Sequence, residues 1–208
     1  MGSSLASGRS RGAAVAELPP GVQVLRGWRP APARWFAWCL RRLPWRQEEA
    51  RVFGRVHPLP RLTAFLAPPG VRYRYSGVVH EGAGLGRALG VLTAAVGTAV
   101  VGDPGAFDTV LASLYRDGRD RIGWHADDEA ALGPEPALAV LSLGAPRTLR
   151  FRPRTGGPSR AVELEDGDLL YMAPGVQSAW QHAVPARRDA GMRVSLGFRR
   201  LATGADAS

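Results

Sequence analysis

Tyr115-Arg-Asp-Gly-Arg-Asp-Arg-Ile-Gly-Trp-His-Ala-Asp-Asp-Glu129 is the stretch on which the reading of this chain turns. In an extended backbone, side chains two apart leave the same face. His125 and Asp127 then point into one space. An imidazole and a carboxylate converging in this way are two of the three ligands of a facial triad, which holds Fe(II) and leaves positions open. On the approach, Arg116-Asp117-Gly118 and Asp120 read as a turn, since Asp and Gly suit the backbone angles a turn needs. Ile122 and Trp124 begin a strand-like segment. His-x-Asp alone recurs widely as unrelated surface residues, so the rest of the chain must supply the third ligand.

The chain has four histidines, His57, His80, His125 and His182. His182, just past Trp180, is the candidate third ligand. Beyond it, Arg193-Val-Ser-Leu-Gly-Phe-Arg199 alternates like a strand and carries an arginine at each end. A guanidinium pairs bidentately with carboxylates and keeps its charge when partly buried. A site that holds a dicarboxylate beside a metal wants such residues. A solvated strand face in an arginine-rich protein would read the same way.

The 208 residues are enough for one domain with a real core. The formal net charge is +9, and every one of the 27 basic residues is arginine. A strongly basic domain attracts polyanions through counterion release and steering. The single cysteine, Cys39, excludes an internal disulfide or a cysteine-based metal cluster. Its neighbours Trp38 and Leu40 point to a buried thiol. No apolar run approaches the roughly 18 residues of a membrane span, and the N-terminus lacks the apolar core of a signal peptide. The expectation is a cytoplasmic monomer with no membrane association and no obligate protein partner.

Composition divides the chain into a disordered basic tail at 1–20, one domain at 21–202 and a second disordered tail at 203–208. Val22 to Leu25 reads as a short strand. Pro30 to Arg42 reads as a helix, with Trp35, Trp38, Cys39 and Leu43 at helical spacing as a core stripe. Residues 51–77, with Pro58, Pro60, Pro68 and Pro69, read as irregular. Ala83 to Val101 reads as a second helix with Leu85, Leu89, Leu92 and Val96 on one face. From Thr109 onward short strands dominate. Leu149 and Phe151 alternate with Arg150 and Arg152, and Val162 and Leu164 alternate with Glu163 and Glu165. This spacing predicts a mainly β sandwich or jelly roll with flanking helices. Such a fold lays distant strands side by side, so that His125 and His182 can meet.

The ordered set Leu114-Tyr-Arg-Asp-Gly118, Gly123-Trp-His-Ala-Asp-Asp-Glu129, Leu141-Ser-Leu-Gly-Ala145, Trp180-Gln-His182 and Arg193 to Arg199 resembles the AlkB family of Fe(II)- and 2-oxoglutarate-dependent dioxygenases. The likeness is to the branch that repairs alkylated nucleic-acid bases, and it extends over roughly residues 20–200. It implies a double-stranded β-helix with two helices of the N-terminal half packed outside. It implies Fe(II) on His125, Asp127 and His182. It implies 2-oxoglutarate with its carboxylates on Arg193 and Arg199 and a hydrogen bond from Tyr115. Many relatives have Asn where this chain has Ser113, and Asn and Thr where it has Ser195 and Gly197. Serine still donates at Ser113 and Ser195, but glycine does not at Gly197.

The resemblance also bears on substrate. Tyr73-Arg-Tyr-Ser-Gly77 alternates tyrosine with arginine. By spacing this is a hairpin with half-buried tyrosines. By resemblance Tyr75 stacks on an extruded base, Tyr73 makes a polar contact, Ser76 lies beside them, and Asp128 and Glu129 read the polar edge of the base. The implied reaction consumes O2, converts 2-oxoglutarate to succinate and CO2, and removes an N-methyl group as formaldehyde. Bases of the 1-methyladenine or 3-methylcytosine type in DNA or RNA are the implied substrates, flipped out of the stack. Alternatives are a related dioxygenase acting on tRNA, protein or a small molecule, and a jelly-roll module that binds nucleic acid without turnover.

Overall fold

The computed structural model describes residues 17–52, 55–75, 78–82 and 84–202. Residues 1–16 of the expected N-terminal tail, the C-terminal tail at 203–208, Ser76 and the Tyr75 side chain lie outside the described residues. Among the described residues there are thirteen strands: β1 (Val22–Leu25), β2 (Arg46–Val52), β3 (Arg55–Leu66), β4 (Arg72–Tyr75), β5 (Val78–Glu81), β6 (Thr109–Tyr115), β7 (Ile122–His125), β8 (Leu138–Gly144), β9 (Arg147–Pro153), β10 (Arg160–Leu164), β11 (Leu169–Met172), β12 (Trp180–Val184) and β13 (Arg193–Arg199). Helices α1 (Pro32–Arg42) and α2 (Gly86–Val101) precede β6, and a short α3 (Val176–Ala179) precedes β12.

From β6 onward the chain builds a jelly roll. Strands β11, β8, β13 and β6 lie side by side in one sheet, and β10, β9, β12 and β7 form the other. Every pairing within these two sheets is antiparallel. The first sheet is extended by β1 on one edge and by β3 and β2 on the other, giving seven strands. Alternation decides which residues meet between the sheets. Leu149, Phe151, Val162 and Leu164 from the smaller sheet pack with Leu138, Leu170 and Met172 from the larger. The outer face of the larger sheet is closed by the two helices, whose Cys39, Leu89, Leu92 and Val96 join Leu141, Val194, Leu196 and Phe198 in a second core. Each large side chain so buried contributes about 1.5–3 kcal/mol. Burial also pushes the Cys39 thiol up to about 12, consistent with an inert core cysteine.

Three local expectations need correction. Residues 51–77 are not irregular throughout: β3 runs through Pro58 and Pro60, while Pro68 and Pro69 do lie in the turn between β3 and β4. Proline is tolerated there because this half of β3 lacks a second neighbour: β6 pairs with it only from Leu62 onward. The ladder with β2 is also interrupted, with Gln47 opposite Leu62 and Glu49 opposite Pro58, so Pro60 sits in a bulge. The helices begin later than their patterns imply, at Pro32 and Gly86. Residues 17–20 are held to the body rather than forming tail. The Leu18 carbonyl accepts from Arg160 Nη1 at 2.6 Å, and Pro19 is buried.

Gly118 has a reason beyond its turn. A Cβ there would collide with the Arg187 carbonyl oxygen, where the loop after β12 crosses the loop after β6. Only glycine permits that approach.

Candidate functional site

Strands β7 and β12 pair with His125 directly opposite His182. The pairing then shifts, Val184 lying opposite Ile122, so one extra residue of β7 is accommodated. This bulge places Ile122 and His125 together in the interior pocket and turns Trp124 outward, against Arg150 and Arg152. Past the strand end, Asp127 completes the cluster. One ligand atom from each of His125, Asp127 and His182 lies within 4.8 Å of the others. The other two histidines do not approach it: His57 is exposed, and His80 is buried against Glu48 at 3.0 Å.

The charge state of the cluster suits a cation. His125 Nδ1 is 2.9 Å from the Gly123 carbonyl, which can only accept, so Nδ1 donates and the Nε2 lone pair stays available. Burial and the adjacent His182 pull the His125 imidazole down to about 4, so it is neutral at ordinary pH. Burial alone would push the Asp127 carboxyl up. The Arg199 guanidinium, helped by both histidines, outweighs it and holds Asp127 well below the usual carboxylate range. Arg199 Nη2 donates to Asp127 Oδ1 at 2.7 Å, while Oδ2 faces His182 Nε2 at 3.3 Å.

Two residues of the support have roles the sequence did not reveal, although Ser142 lies within the quoted Leu141-Ser-Leu-Gly-Ala145. Gln177, fully buried on α3, accepts the Asp127 N–H through Oε1 at 3.0 Å. Ser142 Oγ accepts from Arg193 Nε at 2.9 Å.

The pocket extends from the triad along β13. Arg193, Ser195, Gly197 and Arg199 line it together with Ser113 and Tyr115 of β6. Ser195 stands directly opposite Ser113. Arg199 marks the metal end by its bond to Asp127, and Arg193 marks the far end beside Tyr115, 5.3 Å from that ring's centroid. Arg193 is fully buried, and its Nη1 has no hydrogen-bond partner. A buried, unsatisfied guanidinium nitrogen is costly unless an anion meets it, so the far end of the pocket fits a carboxylate. Gly197 has a positive role. A Cβ there would stand 2.9 Å from Arg199 Nη1, so the glycine lets Arg199 lie flat and reach Asp127.

Of the residues expected at the base, Tyr73, Asp128 and Glu129 are described. Tyr73 is fully buried and stacks on Phe65 at 5.4 Å between ring centroids, deeper than the half-buried position its spacing implies. Asp128 is surface-exposed and ion-paired with Arg154 at 2.6 Å. Glu129 is half-buried. Burial and the nearby Asp127 raise its carboxyl, against a hydrogen bond from the Tyr73 side chain. Among the described residues, none of these three lines the metal pocket.

The fold and the cluster together define a double-stranded β-helix with a His-Asp-His centre beside an arginine-walled pocket. A solved structure of OsALKBH1 shares this fold at TM-score 0.64 and 16% identity, covering 88% of this chain and 100% of that one. An oxidoreductase of the 2OG-Fe(II) oxygenase family from Burkholderia pseudomallei matches at TM-score 0.55 and 18% identity, over 86% of this chain and 84% of that one. Residues 21–200 match the model of the 2OG-Fe(II) oxygenase superfamily, and the chain belongs to that family. That model describes oxygenases that use Fe(II) and 2-oxoglutarate. The alpha-ketoglutarate-dependent dioxygenase alkB homolog 3 of Rattus norvegicus is 36% identical over 178 residues, which are 79% of this chain and 59% of that protein. The DNA oxidative demethylase ALKBH2 of Mus musculus is 36% identical over 162 residues, 74% of this chain and 66% of that protein. The human ALKBH2 is 35% identical over 160 residues, 73% of this chain and 60% of that protein. The chain thus spans about three fifths of the length of these relatives. Among the described residues, no helix is long and apolar enough to cross a membrane.

Proposed function

We propose that this protein oxidatively removes N-methyl groups from alkylated nucleic-acid bases of the 1-methyladenine and 3-methylcytosine type. The observation that carries this reading is the convergence, in one pocket, of His125, Asp127 and His182 with the orphaned nitrogen of Arg193. His125 Nε2, Asp127 and His182 would hold Fe(II), and Arg199, Arg193 and Tyr115 would hold 2-oxoglutarate. Bound together, these groups supply the oxidising chemistry, in which O2 and 2-oxoglutarate become succinate, CO2 and one oxygen atom inserted into the methyl C–H bond.

The side chains organise that chemistry. Gly123 fixes the His125 tautomer, Gln177 fixes the Asp127 backbone, and Arg199 keeps the Asp127 carboxylate ionised. Ser113 and Ser195 offer hydroxyls along the pocket wall. Leu111, Ile122 and Val140 form its apolar walls and exclude water from the metal's neighbourhood.

Two features support nucleic acid as the substrate class. The relatives include proteins named as DNA oxidative demethylases. The net charge is +9, and the outer face of the smaller sheet sets the half-exposed Trp124 against the exposed Arg150 and Arg152, at 5.9 and 4.7 Å from its ring centroid. Aromatic rings beside cations suit the bases and phosphates of a strand. Mass spectrometry of single-stranded oligonucleotides carrying one 3-methylcytosine or 1-methyladenine, incubated with protein, Fe(II), 2-oxoglutarate and O2, tests the reading. Loss of the methyl group is the expected result. Intact methylated bases alongside steady succinate release would move the substrate away from nucleic-acid bases.

A further inference from the structure

Arg147 opens β9 at the same parity as Leu149 and Phe151, and it is as deeply buried as they are. Its Nη1 donates to the Asp117 carbonyl at 3.2 Å, and its Nη2 donates to those of Asp120 at 2.7 Å and Pro185 at 2.8 Å. One guanidinium thus ties the loop between β6 and β7 to the segment after β12, the two stretches that lead from Tyr115 to His125 and away from His182. The same guanidinium lies 5.2 Å from the centroid of the Tyr115 ring, against which Arg193 lies at 5.3 Å. Arg147 Nε and Arg193 Nη1 are both buried without a hydrogen-bond partner. Two buried cations sharing one aromatic ring, with no carboxylate on either among the described residues, are costly unless an anion completes them.

We propose that Arg147 is a positioning residue for the far carboxylate of the cosubstrate: it fixes the Tyr115 ring against Arg193 and adds a second positive charge to that end of the pocket. This rests on the reading that 2-oxoglutarate fills the pocket. Arg147 itself touches backbone carbonyls and acts through Tyr115 and Arg193.

The test is anaerobic calorimetry on the full chain loaded with Mn(II), titrated with 2-oxoglutarate. Arg147→Gln removes the charge and keeps an amide donor, and Arg147→Lys keeps the charge and loses the fork. The expected result is a weakening by about tenfold or more for Arg147→Gln and a smaller loss for Arg147→Lys, with Mn(II) affinity unchanged in both. Equal losses in the two variants would mean that Arg147 only holds the fold, and unchanged affinity in both would mean that it does nothing here. Either result overturns the proposal. If Arg147→Gln does not fold, Arg147→Lys decides alone. A 2-oxoglutarate loss with Mn(II) affinity intact supports the role, while no loss, or parallel loss of the metal, removes it. Wild-type protein that binds Mn(II) but not 2-oxoglutarate would sink the cosubstrate reading itself, a result distinct from failure of the Arg147 variants alone.

Discussion

Replacing Gln177 with leucine tests how the metal ligands are held. Gln177 is fully buried, and its Oε1 is the acceptor for the Asp127 N–H at 3.0 Å. Leucine is similar in size, so the change removes a polar partner and leaves little cavity. The Asp127 N–H is then buried and unsatisfied, which costs about 1–3 kcal/mol. The amide's second contact, Nε2 to the Met172 sulfur at 3.3 Å, is weak and adds little. The larger effect falls on the ligand geometry, because among the described residues the other partners of Asp127 are Arg199 and His182, which hold its carboxylate. Loss of such an outer partner lowers metal affinity about 10–100-fold. Urea unfolding of the metal-free protein gives the stability, and anaerobic Mn(II) titration gives the affinity. The expected outcome is a modest stability loss with a disproportionate loss of metal binding. A variant that binds Mn(II) as tightly as the wild type would refute the assignment of Gln177 as the residue that holds Asp127 in place.

Three further outcomes follow from the geometry. Gly197→Thr, which restores the residue type many relatives carry there, places a side chain where a Cβ alone already stands 2.9 Å from Arg199 Nη1; it should destabilise by about 1–3 kcal/mol and weaken 2-oxoglutarate binding, both readable by thermal melts and calorimetry, and a gain in affinity would show that the glycine is a plain deficit. The metal-free protein should lose stability as pH falls from 6.5 toward about 4, because the unfolded chain protonates His125 before the folded one does, so folding is favoured above this window and disfavoured through it; His125→Asn should flatten the urea midpoint across that range, and an unchanged slope would remove His125 as the cause. Arg150→Ser with Arg152→Ser should weaken binding of unmodified oligonucleotides and reduce the salt slope by about 2, measured by anisotropy, while an unchanged slope would clear this face of phosphate contact.

The parts of the fold that were legible are those whose signal is local. The alternation of Leu149 and Phe151 with Arg150 and Arg152 gave β9 its inner and outer faces, and the structure buries and exposes them accordingly. His125 and Asp127 needed only an extended backbone to converge, and His182 needed only a fold that lays β12 beside β7. The course of β3 was hidden because prolines usually end strands, and its tolerance depends on which neighbour stops pairing where. Tyr73 alternates with arginines as a half-buried hairpin residue would, yet Phe65 comes from another strand to cover it fully. Gln177 carries no pattern at all, and Ser142 lies in a quoted motif without showing its role, because each is defined by a partner about fifty residues away. Arg147 did leave a trace: it is a charged residue at the inward parity of an alternating strand, the same trace that marks Arg193 and Arg199 on β13.

The most direct measurement is the yield of formaldehyde per succinate when the protein, Fe(II), 2-oxoglutarate and O2 meet a single-stranded 3-methylcytosine oligonucleotide, with His182→Ala run in parallel. The account expects nearly equal amounts of the two products from the wild type and neither from His182→Ala. Equal formaldehyde from both proteins would contradict the triad, and succinate without formaldehyde from the wild type would contradict base demethylation.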